Sequence, residues 1–361
     1  MHKVFYGAQA IALGAYKALK VLQPEIEIEC FLVTQMGNNP SFLGGIPVRE
    51  LEEFVLEKTF EEKDNIEILI GTPENVMEDI ERNLEAVGLH HHVRLDSVKW
   101  AEMQEKAFIK SGEFKSLSSF SIGSKIPTVE VYKTVHCQDK PLKLGFKFPG
   151  YMTTIQVGAA LCDKQIAELT DDQGVNISKK NGNYSELTGL YWLWKNRIQS
   201  GQLKNDRYFG LAHYRRFLQL SDADQKRIAG NDIDVVLPYP MPYEPNIEVH
   251  HERYLTEDEW AGVLEVLEEL EPEYAIAFKE KILQQGYLYN YNLVIAKADV
   301  LDKYCAWLFK LLFRIEAINN PDGRKKSNRY IGYVGESLET LYFMYNKDKL
   351  KIAHTGCRFL V

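Results

Sequence analysis

Short apolar runs separated by helix-length segments recur through residues 1–100, and this alternation restricts the fold more than any other feature of the chain. Lys3 to Tyr6 is one such run. Gly7 to Gly14 is a small-residue turn that opens a helix reaching Leu22. Ile26 to Thr34 begins by alternating and then becomes fully apolar, as a buried strand does. Ile66 to Ile70 is a third strand, closed by Gly71-Thr72-Pro73, and a helix from Glu74 to Val87 stops at Gly88, a residue suited to the helix C-terminus. His90 to Leu95 reads as a fourth strand. Strands joined in this way through helices pair in parallel. Residues 1–105 are therefore expected to form a Rossmann-like α/β domain.

The segment from Ala101 to Lys125 is rich in Ser, Gly and Lys. It reads as a helix tail followed by a linker over 106–126. A second α/β domain is expected over 127–361. Its first strand is Thr128 to Val135. A helix from Tyr184 to Ile198 carries the capping-box pattern Asn183-Tyr184-Ser185-Glu186 and an apolar stripe at Leu187, Leu190, Tyr191 and Trp194. Tyr208 to His213, Ile233 to Leu237 and Tyr291 to Ala296 are further strands. A second capping box, Thr256 to Glu259, opens an acidic helix. Val300 to Ile315 is an apolar helix, and Glu336 to Tyr345 is a helix entered through Gly332 and Gly335.

Composition excludes several classes. The formal charge is −8, which argues against nucleic acid as a partner, since phosphate tracking needs a broad basic surface. A local basic pocket for a diphosphate remains open. The five cysteines are an odd number and none form C-x-x-C, so a reduced compartment with neither disulfide framework nor zinc module is expected. The start, MHKVFYGAQ, lacks the apolar core of a signal peptide. The most apolar run, Tyr304 to Phe313, is too short to span a bilayer and is broken by Lys310. A cytoplasmic protein is expected, with peripheral contact at the inner membrane face left open.

The first domain carries little chemistry. Gly7 to Gly14 is not G-x-G-x-x-G, and the second strand ends in Thr34-Gln35-Met36 without an acid for a ribose, so NAD is not expected. Asn39 to Val48 resembles a segment of the nucleotide-binding subdomain of sugar acetyltransferases. His90-His91-His92 alternates across a strand and reads as a solvent edge rather than a metal site.

Three groups of residues in the second domain are more specific. The first runs from Thr170-Asp171-Asp172 through Asn176, Ser178, Asn181, Asn183-Tyr184-Ser185-Glu186 and Thr188 to Tyr191-Trp192. The second is Gly210-Leu211-Ala212-His213-Tyr214-Arg215-Arg216-Phe217. The third joins Tyr289-Asn290-Tyr291-Asn292, the helix around Asp302 to Phe309, and Gly335-Glu336-Ser337-Leu338. Together they resemble an uncharacterised-domain family of capsular and exopolysaccharide glycosyltransferases, from about Val129 to the C-terminus. The resemblance implies a GT-A-like fold and a nucleotide-diphosphate-sugar donor, with UDP-galactofuranose or another UDP-hexose as candidates. It also implies a lipid-linked oligosaccharide acceptor. Binding residues are expected at His136, Asp171, Asp172, Asn176, Asn183, Thr188, His213, Tyr214, Asn290 and Asn292.

The residue chemistry is compatible with that implication. A leaving diphosphate gains negative charge, which a cation must stabilise. The strand ending at His213 is followed by Arg215-Arg216 instead of Asp-x-Asp, and arginine suits bidentate phosphate contact. Arg215 and Arg216 are therefore expected to replace or assist a metal, with Mn²⁺ or Mg²⁺ open as cofactors. Two adjacent arginines also commonly make surface ion pairs. Asp222-Ala223-Asp224 reads as a helix start, and Asp171-Asp172 as the better metal or ribose contact. His354 is a weaker candidate ligand. Glu336 is expected to be the general base on the acceptor hydroxyl, against the plainer role of a first-turn acid on a helix dipole. Glu186 carries the same choice, with capping favoured. Tyr239, Tyr243, Trp260 and His250-His251 could face sugar or fill the core. A catalytically inactive sugar-nucleotide-binding regulator is the alternative from another class.

Overall fold

The computed structural model describes residues 2–142, 146–201, 207–320 and 329–360. The chain divides into two compact units, residues 1–115 with 241–244, and residues 116–240 with 245–360.

In the first unit, β1 (His2–Tyr6), α1 (Ala10–Leu22), β2 (Ile28–Val33), β3 (Phe42–Leu43) and β4 (Ile46–Glu50) come first. Then follow α2 (Leu51–Leu56), α3 (Phe60–Asp64), β5 (Ile66–Ile70), α4 (Glu74–Ala86), β6 (His92–Arg94) and α5 (Ser97–Ser111). The sheet order is β3-β4-β2-β1-β5-β6, parallel throughout except for the β3–β4 pair. Val4, Tyr6, Cys30, Leu32, Ile68 and Ile70 fill one core cluster with Phe54 and Leu84. The histidine triplet sits at the edge strand. His90 and His92 both meet the Glu85 carboxylate, and His91 meets Asp64. Helix α5 runs on through Ser111, into the stretch expected to be linker, and Gly112 caps it at φ 73°. Its inner face is Trp100, Gln104, Ala107 and Phe108, a helical stripe hidden among polar neighbours.

The second unit opens with β7 (Thr128–Val135), β8 (Met152–Gln156) and β9 (Leu169–Thr170), then α6 (Asn181–Tyr184) and α7 (Leu187–Leu193). Next come β10 (Arg207–His213), β11 (Arg216–Leu218), α8 (Asp222–Gly230), β12 (Val235–Pro238) and β13 (Met241–Pro242), of which β13 belongs to the first unit. The rest is α9 (Ile247–His250), α10 (Glu257–Leu270), α11 (Pro272–Ala277), β14 (Tyr287–Leu288), β15 (Val294–Lys297), α12 (Ala298–Asn319), α13 (Tyr330–Tyr345), β16 (Ile352–Thr355) and β17 (Cys357–Phe359). The main sheet runs β16-β12-β15-β10-β7-β8-β9, with β11 and β17 extending from β10. Strand β15 is antiparallel to both its neighbours, while β10, β7, β8 and β9 are parallel.

Helix α13 starts at Tyr330, with Gly332 and Gly335 inside it, so Glu336 is not the first-turn acid expected; two further local outcomes differ from the sequence expectation. The helix expected over Tyr184–Ile198 is interrupted at Ser185, whose φ is 49°. No capping box forms there: Asn183 lies inside α6, and Glu186 caps α7 without a side-chain bond. The capping box at Thr256–Glu259 does form, as does one at Ser221–Asp224, which assigns Asp222-Ala223-Asp224 to a helix start. The second difference is a disulfide, Cys137–Cys162, where none was expected. Parallel pairing of β7 with β8 brings the loops after both strands together, a juxtaposition that residue spacing does not reveal. Among the described residues, no helix is long and apolar enough to cross a membrane.

Candidate functional site

From β7 the sheet grows one way to β8 and β9, then the other way to β10. The carboxyl ends of β7 and β10 therefore flank a topological switch point, where open α/β sheets leave a crevice for ligands. A cleft of about 510 Å³ lies there, lined by residues from both strand ends and from the segments before α7 and α13.

Strand β10 delivers the basic residues. Its last residue, His213, pairs with Arg216 across the two-residue turn Tyr214-Arg215, so all four side chains emerge at the cleft. The Arg216 guanidinium lies 4.3 Å from the Tyr291 ring centroid, and Arg215 is 5.4 Å from Tyr214. These ring contacts orient the guanidinium groups. A third arginine, Arg329, enters from the start of α13. Its Nε donates to Ser185 Oγ at 2.9 Å, and its Nη2 stands 3.7 Å from the Glu186 carboxylate. The backbone at Arg329 takes φ 62°, which turns the side chain back over α6 and α7.

Besides Asp139, which accepts from the His136 backbone N–H at 2.7 Å, the acid of the cleft lining is Glu186. Gly189 permits its position. A Cβ at Gly189 would come within 2.9 Å of Thr134 and Val157, so α7 packs directly on the sheet and its first residue reaches the crevice. Glu186 accepts from Asn292 Nδ2 at 2.6 Å, and His213 Nε2 is 4.0 Å away. His213 donates instead to the Tyr291 carbonyl at 2.6 Å. Burial lowers the His213 pKa, and the Arg216 charge adds to this against Glu186 and the Tyr291 carbonyl. The imidazole is thus a neutral donor that fixes the Tyr291 backbone.

Glu336 stands behind this layer on α13, outside the cleft lining, with Asn290 Nδ2 3.3 Å from its carboxylate. Its pKa is pushed up to about 8, first by burial and then by the Glu186 charge, despite the Tyr291 backbone bond and the charges of Arg216 and Arg329. One turn on, Glu339 is fully buried, its carboxyl oxygens have no hydrogen-bond partner among the described residues, and its pKa is likewise raised well above the usual carboxylate range, again by burial first. Gly335 makes this packing possible, since a Cβ there would meet Leu187 at 2.7 Å and Asn292 Oδ1 at 2.8 Å.

The structure thus brings His136, His213, Tyr214, Arg215 and Arg216 to one cleft, with Asn292 bonded to Glu186 and Asn290 to Glu336 behind it. The other five expected binding residues, and the weaker candidates His354, Tyr239 and His251, lie outside the cleft lining. Asp171 is fully buried and accepts from the Gly158 and Ala159 backbone N–H groups and the Ser178 hydroxyl, which clasps the loop after β8. Asp172 accepts from Thr170, and Asn176 bonds the backbone of its own turn. Thr188 bonds Ser185 and Asn181. Asn183 is buried in α6 away from the cleft lining. His354 is buried against the Tyr289 hydroxyl at 2.8 Å, Tyr239 bonds Ser116, and His251 stacks on Trp260 at 4.0 Å.

Arg329 was not singled out in the sequence, and Glu186, weighed as a base with capping favoured, faces the cleft instead of capping with its side chain. Nothing in the local pattern separates Arg329 from other basic residues, and Glu186 looked like a cap. Among the described residues, one group of three metal-ligating side chains lies with its donor atoms within 4.8 Å of one another: His136, Cys137 and Cys162. Its two sulfurs are joined, and it offers none of the carboxylate oxygens that Mn²⁺ or Mg²⁺ prefers. That group does not fit those ions; the carboxylates of the cleft lining are Asp139 and Glu186.

The family model described as "Domain of unknown function (DUF4422)" matches residues 133–347, which contain most of this cleft. Among solved structures, the apo structure of the bifunctional glycosyltransferase WbbM is similar, at 27% identity and a TM-score of 0.55. The match covers 64% of this chain and 45% of that one, so it spans less than half of WbbM. The mannosyltransferase Ktr4p from S. cerevisiae matches at 11% identity over 63% of this chain and 68% of that one, with a TM-score of 0.28 that carries no argument. No curated protein matches in sequence.

Proposed function

The chain belongs to the DUF4422 family, and on that premise we propose that it is a glycosyltransferase using a nucleotide-diphosphate-sugar donor. The observation that carries this reading is the convergence of Arg215, Arg216 and Arg329 with two carboxylates, Glu186 and Asp139, in a cleft at the switch point of an α/β sheet. The likeness to WbbM supports it. The donor diphosphate lies against the guanidinium groups, which stabilise the charge that builds as the sugar–phosphate bond breaks. The acceptor hydroxyl oxygen attacks the anomeric carbon, its proton passes to Glu186, and the nucleoside diphosphate leaves. Glu186 takes the role expected of Glu336 because it lies on the cleft wall, held there by Asn292, whereas Asp139, the other acid of the lining, is engaged by the His136 backbone N–H; Glu336 acts through Glu186. The finer assignments remain part of this proposal: a GT-A-like unit, a UDP-hexose such as UDP-galactofuranose, and a lipid-linked oligosaccharide acceptor in surface polysaccharide synthesis at the inner membrane face.

The test is a thermal-shift screen of the full chain against nucleotide sugars, followed by donor turnover. A donor at 100 times its dissociation constant stabilises the protein by about 2.7 kcal/mol. Binding without hydrolysis or transfer would establish the regulatory reading instead. Binding by none of the nucleotide sugars would refute both.

A further inference from the structure

Next to Arg329, outside the cleft lining, stands an aromatic stack. The Arg329 guanidinium lies 5.9 Å from the ring centroid of Tyr333, one turn along α13. Tyr254 lies flat on Tyr333, with centroids 4.3 Å apart and planes 22° from parallel. His250 braces Tyr254 edge-on at 5.4 Å. Tyr254 nevertheless remains 44 % exposed. A lone exposed aromatic needs no explanation. A stacked and edge-braced one has lost its rotamer freedom already, so a ligand on its open face bears little ordering cost.

Charge indicates what that ligand is. Tyr254 is within electrostatic reach of Glu336, which in turn feels Glu186. The aromatic pair therefore stands between Arg329 and the Glu336 carboxylate, beside the place where Arg215 and Arg216 draw the diphosphate rather than in it. An uncharged ring with an apolar face and a hydroxyl rim fits this side, and the proton-accepting carboxylate must also face the acceptor. Resting on the transferase reading, we propose that Tyr254 and Tyr333 form the acceptor platform and stack on the sugar ring that receives the transferred residue.

The experiment uses the full chain with Tyr254→Ala, Tyr254→Phe and Tyr333→Ala, folding being checked by melting temperature. Octyl galactoside, glucoside and mannoside serve as acceptor probes. Tyr254→Ala should raise the acceptor KM about tenfold, the equivalent of about 1.4 kcal/mol, with donor affinity kept. Tyr254→Phe keeps the ring and should restore the KM. An unchanged acceptor KM in folded Tyr254→Ala would overturn the platform. So would a loss of UDP or UDP-hexose affinity, which would assign the stack to the donor base. Glycoside binding is also titrated by NMR without donor. Saturable binding that Tyr254→Ala abolishes, in a protein that never transfers, would remove the transferase reading and leave the platform standing. Absence of saturable binding by all three glycosides would overturn the platform itself.

Discussion

Replacing Glu336 with Gln should make the protein less sensitive to alkaline pH. The Glu336 pKa is pushed up to about 8 from an ordinary 4.5. Between those values the native state holds a proton that the unfolded chain has released. Stability from this group is therefore full below about pH 4.5 and is lost as pH rises through about 8. Moving this acid from 4.5 to about 8 corresponds to about 5 kcal/mol, and because water reaches part of the residue we expect about 2–4 kcal/mol. Glu336→Gln cannot ionise, keeps the size of the side chain and can still meet Asn290. Urea midpoints for both proteins at about pH 5 and about pH 8.5 give the test, with m-values compared to confirm the same unfolding reaction. Glu339 and His213 titrate in both proteins, so the difference between the two slopes isolates Glu336. The wild type should lose stability across this range by about 2–4 kcal/mol more than the variant. A helix-dipole role would give a different result, a loss of roughly 0.3–1 kcal/mol in the variant while the wild-type acid is ionised. Parallel slopes would refute the buried, proton-holding Glu336.

Four further outcomes follow from the cleft. Glu186→Gln should lower the transfer rate by about 10²–10⁴ with donor affinity kept, and a rate close to wild type would leave the base unassigned. Arg215→Ala, Arg216→Ala and Arg329→Ala should each raise the barrier by about 2.7–4 kcal/mol if the guanidinium groups share the leaving diphosphate, measured as turnover in folded variants. Reducing Cys137–Cys162, whose cysteines are 25 residues apart, should cost about 3–4 kcal/mol by loop entropy, and an unchanged melting temperature after reduction would show that the bond does not constrain the unfolded chain. Gly189→Ala should push α7 off β7 and lower both stability and donor turnover, since the added methyl meets Thr134 and Val157 at 2.9 Å.

What could be read from the sequence was what local spacing encodes. Thr128 to Val135 and Tyr208 to His213 lie within strands with nearly the predicted ends, and His213-Tyr214-Arg215-Arg216 lies at the cleft. A strand followed at once by charge can be recognised without knowing its partners. Three-dimensional neighbours could not be read. Asp171 was plausible as a ligand until Gly158, Ala159 and Ser178, 7 to 13 residues away, took up its oxygens. Glu186 matched a capping box in type and spacing, but a positive φ at Ser185 turned it away from the helix and towards Asn292, 106 residues on. Arg329 lies 143 residues after Glu186 and joins it only because Gly335 lets α13 press against Leu187. The same close packing leaves Glu339 without a hydrogen-bond partner among the described residues and holds a proton on Glu336. Keeping Glu336 and Glu339 buried within electrostatic reach of Glu186 carries an energetic cost visible only in the assembled structure, and acids perturbed by burial and a specific charge partner cluster at functional sites.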